Sequence, residues 1–573
     1  MSKKKTTNLT YLVLLLFIFG DVISGFALGP DEIKPPSSNN PAWFYEKVMS
    51  TLANVNNLSA WICADGMSGY NEISGGPGII YPRGTATVVY QDGLVWGGYV
   101  NDGITPALRV GGQTYNIGTQ AGRIISTGIA QSPDDPEVRI YRIRRDYLTV
   151  SDAELQPDAA EFFNIPLFEV TQEDIDSVRA NYSRDWLEWP AAYGAPFYDQ
   201  NGNGIYEPQL GEEPGLQDAN QVIWFVCNDL DIGTVYALYG SPPMGLELQV
   251  TIWAYNRTNS PLNQGIFRRY RLINKSGVSI DSMFIGIWSD TDLGDPGDDF
   301  LGCDTILDLA YSYNGYPYDT EFDPFFLPPP AIGYSLLQGP LVPAPGETGR
   351  FNFKEVEDMK NLEMTSVWMK STPSAITDPP LRYYEGTLDM YQLLNGYIPF
   401  WVHPPIPYTV GSGPHKGETT KFQLSGDPIS NVGDVDGQGY NNIPGSRRLM
   451  NNSGPFTMQP GDTQEVVYAL VGGIDPAGDN LSAVGVLKKN VEFIRNYYGV
   501  GIITPTIIPE LSFPDQFSSR LKVMVELQDY LDVRECRLNL YPEIGDEESL
   551  ELSLYDDGMH EDNLAGEIGR AHV

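Results

Sequence analysis

Oxygen-bearing side chains alternate with glycine in the segment Asp-Gln-Asn-Gly-Asn-Gly-Ile-Tyr-Glu that spans residues 199–207. Side-chain oxygens fall at positions 1, 3 and 5, and a glycine follows at position 6. This spacing lets a short loop wrap a hard cation, with a backbone carbonyl and a further carboxylate completing the set of oxygen ligands. The pattern predicts a Ca²⁺ site formed by Asp199, Asn201, Asn203, Ile205 and Glu207.

The loop departs from an EF-hand at its far end. An EF-hand has a bidentate glutamate at position 12, where this chain has Leu210. Glu212 and Glu213 follow shortly afterwards, and either can substitute if the loop folds back. The departure favours a shorter calcium loop, with a metal-free Asn-Gly turn as the alternative.

A second acidic segment lies about ninety residues further along the chain, between two predicted strands. Coulomb repulsion between adjacent carboxylates is on the order of 1 kcal/mol per pair in water. Bound cations would remove that repulsion, with a fully solvated loop that tolerates it as the alternative. The segment therefore predicts a second calcium site, drawn from Asp290, Asp292, Asp295, Asp298, Asp299 and Asp304. The stretch 433–439 is a weaker copy, for which we expect a plain turn.

Short apolar runs separated by Gly, Asp and Pro predict antiparallel strands over most of the chain. The runs at 94–100, 246–255, 267–273 and 466–471 are examples. Helices are predicted near 171–184, with Thr171 as the N-cap, and near 482–497. The fold class expected is mainly β: multidomain antiparallel β-sandwiches with a few short connecting helices.

Composition shifts and proline-rich stretches divide the 573 residues into segments. We expect a signal peptide at 1–27, a flexible entry at 28–41, an N-terminal β domain at 42–150 and a helical connector with the Asp/Asn-Gly loop at 151–220. A central β-sandwich at 221–503, a linker at 504–520 and a truncated immunoglobulin-like module at 521–566 follow.

The two ends of the chain carry their own signals. Lys3-Lys-Lys5, an apolar run from Leu9 to Gly20 and small residues near Ala27 have the layout of a secretory signal peptide. No later segment reaches the length of a membrane span, so we expect the mature chain to lack one. Residues 567–573 resemble a translated sequencing adapter, so we expect the chain to be a fragment.

The net charge is −38, from 36 basic and 74 acidic side chains. Such a charge repels nucleic acid and anionic membrane surfaces and attracts divalent cations. Four cysteines, Cys63, Cys227, Cys303 and Cys536, are too widely spaced for a zinc knuckle or a redox pair. We expect scattered buried thiols.

Catalytic patterns are sparse. His403, His415 and His560 lack the partner spacing of a triad or a zinc site. No nucleophile elbow, P-loop or dinucleotide fingerprint occurs in a suitable context. Paired carboxylates for glycoside hydrolysis remain open, because the fold sets their spacing. Trp401 and Tyr408 are the candidates for an exposed aromatic platform.

Three stretches in combination resemble a family of large secreted proteins of unassigned function from the Bacteroidetes and related phyla. They are Trp186-Leu-Glu-Trp-Pro190 before Gly194-Ala-Pro-Phe-Tyr-Asp199, Trp288-Ser-Asp-Thr-Asp-Leu-Gly-Asp295, and Gly454-Pro-Phe-Thr-Met-Gln-Pro-Gly-Asp-Thr-Gln464. The resemblance implies export by a type IX secretion system and supplies no catalytic residues. After Leu521 the chain is similar to immunoglobulin-like modules with the loop Asp556 to Asp562.

Together these patterns predict a secreted or cell-surface, calcium-stabilised β protein. Its expected role is structural, adhesive or polymer-binding, with extracellular polysaccharide or other surface proteins as partners. The alternative is a secreted hydrolase acting on carbohydrate.

Overall fold

The computed structural model of the protein describes residues 49–216, 218–371, 377–402 and 404–500, and the backbone of five strands between residues 507 and 571. The expected signal peptide, the flexible entry, His403, His560 and most of the linker at 504–520 lie outside the described residues.

Five α-helices occur in the described residues: α1 (Asp152–Phe163), α2 (Gln172–Leu187), α3 (Ile232–Tyr239), α4 (Tyr384–Leu394) and α5 (Asn480–Val500). The predicted helices near 171–184 and 482–497 are confirmed as α2 and α5. At the start of α2, the Thr171 hydroxyl accepts from the Asp174 amide at 3.3 Å, and the Asp174 carboxylate accepts from the Thr171 amide at 2.8 Å. This reciprocal pair is the predicted cap.

The strands are numbered in chain order. The first fourteen are β1 (Ser50–Ala53), β2 (Ser59–Cys63), β3 (Tyr70–Asn71), β4 (Gly76–Pro77), β5 (Ile79–Ile80), β6 (Thr87–Val89), β7 (Gln91–Val100), β8 (Leu108–Gly112), β9 (Gln120–Ala121), β10 (Ile124–Ser126), β11 (Ile129–Ala130), β12 (Tyr141–Arg144), β13 (Phe197–Tyr198) and β14 (Glu213–Pro214). The next fourteen are β15 (Gln221–Asn228), β16 (Leu246–Ala254), β17 (Gly265–Asn274), β18 (Ile280–Thr291), β19 (Asp299–Asp304), β20 (Leu309–Asn314), β21 (Ala331–Gln338), β22 (Leu341–Phe351), β23 (Lys354–Asn361), β24 (Ser366–Ser371), β25 (Tyr408–Thr409), β26 (Thr419–Thr420), β27 (Arg447–Met458) and β28 (Thr463–Gly473).

Two large antiparallel sheets dominate the fold. The nine-stranded sheet has the order β12-β15-β16-β17-β28-β21-β20-β19, with β9 beside β15. The five-stranded sheet has the order β24-β27-β18-β7-β8, and β1-β2-β5-β6 form a four-stranded sheet. The predicted mainly β, antiparallel class is confirmed.

The main core lies between the two large sheets. Leu248 and Val250 of β16 share one buried cluster with Ile285 and Ile287 of β18. Because side chains alternate along a strand, each strand also presents an outward face. The alternation detected in the sequence therefore places every second residue between the sheets.

The outward faces of both sheets are covered as well. Leu487 of α5 packs with Val467 of β28 in a second cluster on the nine-stranded sheet. Leu238 of α3 and Leu393 of α4 pack with Trp288 of β18 in a third cluster on the five-stranded sheet. Burial on both sides explains why several strands read as nearly continuous apolar runs.

The structure joins in one sheet two segments that the sequence analysis divides. Strand β7, from the segment 42–150, pairs antiparallel with β18, from the segment 221–503, with Ile287 opposite Leu94. Composition and turn signals mark where strands end, but they do not specify the partner of a strand.

The chain divides into two compact units, residues 1–46 with 151–180 and residues 47–150 with 181–573. In the described part of the first unit, Ser151 forms a capping box with Glu154 at the start of α1. An ion pair of 2.8 Å joins Arg179 to Asp152.

After residue 500 the described backbone comprises β29 (Ile507–Ser512), β30 (Lys522–Leu527), β31 (Cys536–Leu540), β32 (Leu550–Leu554) and β33 (Arg570–Ala571). These strands form a three-stranded sheet, β29-β30-β33, and the pair β31-β32. Within the described residues, no helix has the length and apolar character needed to cross a membrane.

Candidate functional site

The Asp/Asn-Gly loop connects the two strands of a short hairpin. Phe197 of β13 pairs with Pro214 of β14, and Tyr198 pairs with Glu213. The indole N–H of Trp189 donates to the Pro196 carbonyl at 2.7 Å just before the hairpin. The base of the loop is therefore fixed to the body of the fold.

Inside the loop, the Asp199 carboxylate organises the backbone. It accepts from the amides of Gly202 at 2.7 Å, Asn203 at 3.2 Å and Gly204 at 2.8 Å. Gly204 has φ of 74°, in the left-handed region that favours glycine. The side-chain oxygen of Asn203 accepts from the Ile205 amide at 2.7 Å. The backbone is thus wound around Asp199.

Glu207 closes the loop against the two asparagines. Its Oε2 accepts from Nδ2 of Asn201 at 3.1 Å and from Nδ2 of Asn203 at 2.8 Å. The structure therefore brings together four of the five predicted ligand residues by side-chain contacts. The fifth, Ile205, contributes its backbone to the same loop.

Glu212 is the residue that distinguishes this loop from an ordinary turn. Its side chain is 2% exposed, and its Oε2 accepts from the Glu207 amide at 2.8 Å. Its Oε1 is buried with no hydrogen-bond partner among the described residues. The neighbouring Glu213 instead forms an ion pair of 2.8 Å with Arg145. The chain folds back past the exposed Leu210, so Glu212 supplies a carboxylate to the loop.

The donor set fits Ca²⁺ better than a soft metal. Among the described residues, no group of three or more His, Cys, Asp or Glu side chains is arranged to hold a metal ion. Calcium also accepts amide and backbone carbonyl oxygens. The unpartnered buried oxygen of Glu212 is the observation that fits such an ion, because a buried carboxylate oxygen without a donor is costly.

The six aspartates of the second predicted site do not share one environment in the structure. Two of them, Asp290 and Asp304, have cationic partners. The Asp290 carboxylate accepts from the Tyr115 hydroxyl at 2.7 Å and lies 3.5 Å from Arg448. Asp304 forms an ion pair of 3.0 Å with Lys488. These two carboxylates have partners within the protein, so the candidates for the predicted site narrow to Asp292, Asp295, Asp298 and Asp299.

Three of the remaining aspartates gather around a residue that the sequence analysis missed, Asp319. The Asp295 amide donates to Asp319 at 3.0 Å. The Asn314 side-chain amide donates both to Asp298 at 2.9 Å and to Asp319 at 3.0 Å. Asp299 lies at the start of β19 beside this group and is fully buried. Asp319 lies twenty residues after Asp299, and no local spacing connects them.

Burial and mutual repulsion outweigh the compensating groups in this acidic cluster. Burial, followed by repulsion from Asp319 and Asp295, raises the pKa of Asp298 to about 6. Burial and then Asp290 raise the pKa of Asp292 to about 7, although Arg448 opposes them. Burial likewise raises the pKa of Asp299 well above its ordinary value.

Asp299 also carries an unpartnered oxygen. Its Oδ2 accepts from the Leu293 amide at 3.2 Å, whereas its buried Oδ1 has no hydrogen-bond partner among the described residues. After burial, repulsion from Asp292, Asp298 and Asp319 adds to the raised pKa of Asp299.

The remaining motifs serve packing. In the stretch 433–439, Asp434 accepts from the Ser412 amide at 2.9 Å, and Asp436 pairs with Arg447 at 2.9 Å, which confirms a structural turn. Tyr408 is buried, so it is not part of an exposed aromatic platform, whereas Trp401 is half-buried against the third core cluster. The exposed His415 contacts Glu418 at 3.2 Å.

The three cysteines with described side chains, Cys63, Cys227 and Cys303, are buried free thiols. Burial is the largest cause of the raised pKa of each thiol. The expectation of buried thiols is confirmed for these three residues.

Comparison with protein-family models and with curated proteins gives no match to the chain.

Proposed function

We propose that the protein is an extracellular, calcium-stabilised β-sandwich protein with a structural, adhesive or polymer-binding role. The observation that carries the proposal is the buried Glu212 carboxylate, which contacts the Asp199–Glu207 loop and leaves one oxygen without a donor. A Ca²⁺ ion held by Asp199, Asn201, Asn203, Glu207 and Glu212 would supply the missing partner.

Ion binding at this position would stabilise the native state. A buried, unpaired carboxylate opposes folding, and a cation that binds only the folded protein adds favourable free energy. The same argument applies to Asp299 in the acidic cluster. Calcium would therefore connect loops to the sandwich at two places.

The proposed location is the cell surface or the extracellular medium, with export of the type IX kind. It is supported by the leader-like residues 1–27, by the net charge of −38 and by the resemblance of the Trp186–Asp199 and Gly454–Gln464 stretches. The negative charge argues against nucleic acid as a partner. Extracellular polysaccharide or another surface protein is the proposed partner.

The alternative, a secreted hydrolase acting on carbohydrate, requires two carboxylates that flank the scissile bond. The carboxylates with raised pKa in the Asp292–Asp299 segment instead lie in the connection between β18 and β19 and at the start of β19. There Asp298 accepts from the Asn314 side chain and Asp299 from the Leu293 amide. A binding or structural role therefore accounts better for their placement.

Thermal unfolding with and without a chelator tests the proposal. Removing Ca²⁺ should lower the melting temperature by several degrees, because the folded state loses a ligand that the unfolded state does not bind. The double variant Asp199→Ala with Asn203→Ala should reduce the effect of calcium, and its melting curve in chelator measures separately the loss of the amide hydrogen bonds that the two side chains accept. An identical curve with and without chelator would remove calcium from the account.

A further inference from the structure

A cavity of about 390 Å³ lies beside the hairpin that carries the calcium loop. One wall comprises residues 194–198 and 215–216, which belong to β13, β14 and their flanks. The opposite wall is the turn between β22 and β23, at Asn352 and Phe353, and β17 contributes Arg269 and Arg271. The volume falls within the range of about 300–1,000 Å³ typical of small-molecule sites.

The two arginines lie on the same outward face of β17 and share a single carboxylate. Arg269 and Arg271 each approach Oε2 of Glu465 to 3.7 Å. The other oxygen of Glu465 accepts from the Gln338 side chain at 3.0 Å and from the Asn352 amide at 3.1 Å. Two cations therefore face one anion, which leaves a local positive charge in a protein of net charge −38.

The hydrogen-bonding capacity of these arginines is not filled. The Arg269 side chain is 1% exposed and donates from Nη1 to Asn352 at 3.4 Å and from Nη2 to Thr251 at 3.3 Å. Nε of both arginines is buried without a hydrogen bond among the described residues, although Nε of Arg271 lies 3.7 Å from Glu465. Burial lowers the pKa of Arg269 to about 10; Glu465 opposes the change and Arg271 adds to it. An anion in the cavity would relieve the repulsion between the two guanidinium groups.

Aromatic rings form the sides of the cavity. Tyr198 is 47% exposed, Phe353 is 40% exposed, and both line the space above the arginines. The Phe353 ring lies 4.6 Å from the Arg269 guanidinium. Asn352 and Phe353 have φ of 49° and 60°, so the turn adopts a left-handed conformation that places both residues at the cavity.

We propose that this cavity binds a single hexuronate unit of a polysaccharide, because Arg269 and Arg271 give it a local positive charge that attracts one carboxylate although the molecule as a whole repels highly charged polyanions. Guanidinium groups bind carboxylates with paired, charge-assisted hydrogen bonds. The C–H faces of a sugar ring pack on aromatic side chains such as Tyr198 and Phe353, and the side-chain NH2 group of Asn352 can donate to a ring hydroxyl. This inference rests on the polymer-binding role proposed above and identifies the class of polymer.

Calcium at the loop would favour this binding. Tyr198 lines the cavity and is followed directly by Asp199, the central residue of the calcium loop. A cation that orders the loop also orders the wall of the cavity, and the two ligands are then coupled through the same hairpin.

Calorimetric titration of the full chain with uronate disaccharides and their neutral counterparts tests the inference. In calcium-containing buffer, at least one uronate disaccharide should bind, and the matched neutral disaccharide should bind about tenfold more weakly or worse, since a charged hydrogen-bonded pair is worth about that factor. Removing calcium should weaken uronate binding.

Two variants locate the site. Arg271→Gln, a change at the more exposed arginine, should reduce uronate affinity about tenfold. Tyr198→Ala should also weaken binding while leaving the guanidinium groups in place. The matched control is Arg382→Gln, because Arg382 is an exposed arginine whose amide bonds the Leu238 carbonyl of α3, away from this cavity. The uronate affinity of Arg382→Gln should equal that of the wild type.

Equal binding of acidic and neutral disaccharides, or unchanged uronate affinity in Arg271→Gln, would overturn the inference. Equal affinity for a peptide carboxylate would overturn it in favour of a peptide ligand. If uronates fail to bind while chelation still lowers the melting temperature, only this inference fails and the calcium proposal stands.

Discussion

Glu212 and Glu213 are neighbours in the chain with opposite environments. Glu212 is buried against the Glu207 amide with one oxygen unpartnered, whereas Glu213 pairs with Arg145 at the surface. Only Glu212 is placed to bind an ion in the loop. The two residues therefore form a matched pair for a test of the calcium site.

Glu212→Gln should lower calcium affinity by about tenfold or more, since even the outer-shell partners of a metal are worth about that much. Glu213→Gln should leave the affinity unchanged. In the presence of chelator, Glu212→Gln should not lower the melting temperature, because the variant removes a buried charge. Equal losses of affinity in both variants, measured by titration calorimetry, would place the ion elsewhere.

Between the two large sheets, a buried ion pair connects β7 to β17. Arg268 Nη1 lies 2.7 Å from Asp92, both side chains are fully buried, and the Tyr334 hydroxyl donates to the same Asp92 oxygen at 2.6 Å. Each partner comes from a different sheet. The contact thus fixes the register of one sheet against the other.

Asp92→Asn should reduce the free energy of unfolding by about 3–5 kcal/mol, because it leaves the Arg268 charge buried and unpaired. The control is Glu347→Gln in the exposed pair with Lys360, which should change stability by about 0.5 kcal/mol or less. Urea denaturation in calcium-containing buffer measures the free energy of unfolding of both variants. A loss below about 1 kcal/mol for Asp92→Asn would show that the pair contributes little.

The acidic loop between β18 and β19 should make calcium-free stability depend on pH. The folded-state pKa values of Asp292, about 7, and Asp298, about 6, lie above the ordinary value of 3.8. The folded protein therefore holds protons that the unfolded chain releases, and stability falls as the pH rises from about 4 to about 7.

In chelator, the melting temperature should be higher at pH 5 than at pH 8, and calcium should reduce the difference because the cation replaces the protons. The double variant Asp292→Asn with Asp298→Asn should show a smaller decline over the same range. Scanning fluorimetry across pH provides the comparison. A decline as steep in the variant as in the wild type would assign the pH dependence to other groups.

Sequence patterns predicted where the strands lie better than which strands pair with one another. Alternation in β16, β17 and β28 revealed the strands, since it fixes which face of a strand is buried. It contains no information on the pairing of β7 with β18, whose residues lie nearly two hundred positions apart. Helix α3 escaped prediction because Ile-Gly-Thr-Val-Tyr-Ala-Leu-Tyr is too short and too evenly apolar for a helical period.

The same limit applies to the candidate site. The predicted ligands in Asp199–Glu207 are close in sequence, so their spacing predicted the loop. Glu212 could be proposed as a further ligand from the sequence, on the single condition that the loop folds back. Asp319 joins Asp298 through Asn314, a contact created by the packing of β20 against β19. Local spacing cannot detect such a residue.

At the scale of the whole molecule, we propose that calcium stabilises the charged loops of the β-sandwich. An ion present at one hundred times its dissociation constant adds about 2.7 kcal/mol to the folded state. That is a large share of the stability of a typical domain, about 5–15 kcal/mol. Calcium bound at the loop would therefore favour the folded protein.

A crystal structure grown with Ca²⁺, with anomalous difference density used to locate the ion, addresses the calcium loop directly. We expect a peak within about 2.3–2.6 Å of oxygens from Asp199, Asn201, Asn203 and Glu212. Absence of a peak at this loop under saturating calcium, with the Glu212 oxygen bonded to a protein donor instead, would contradict the account.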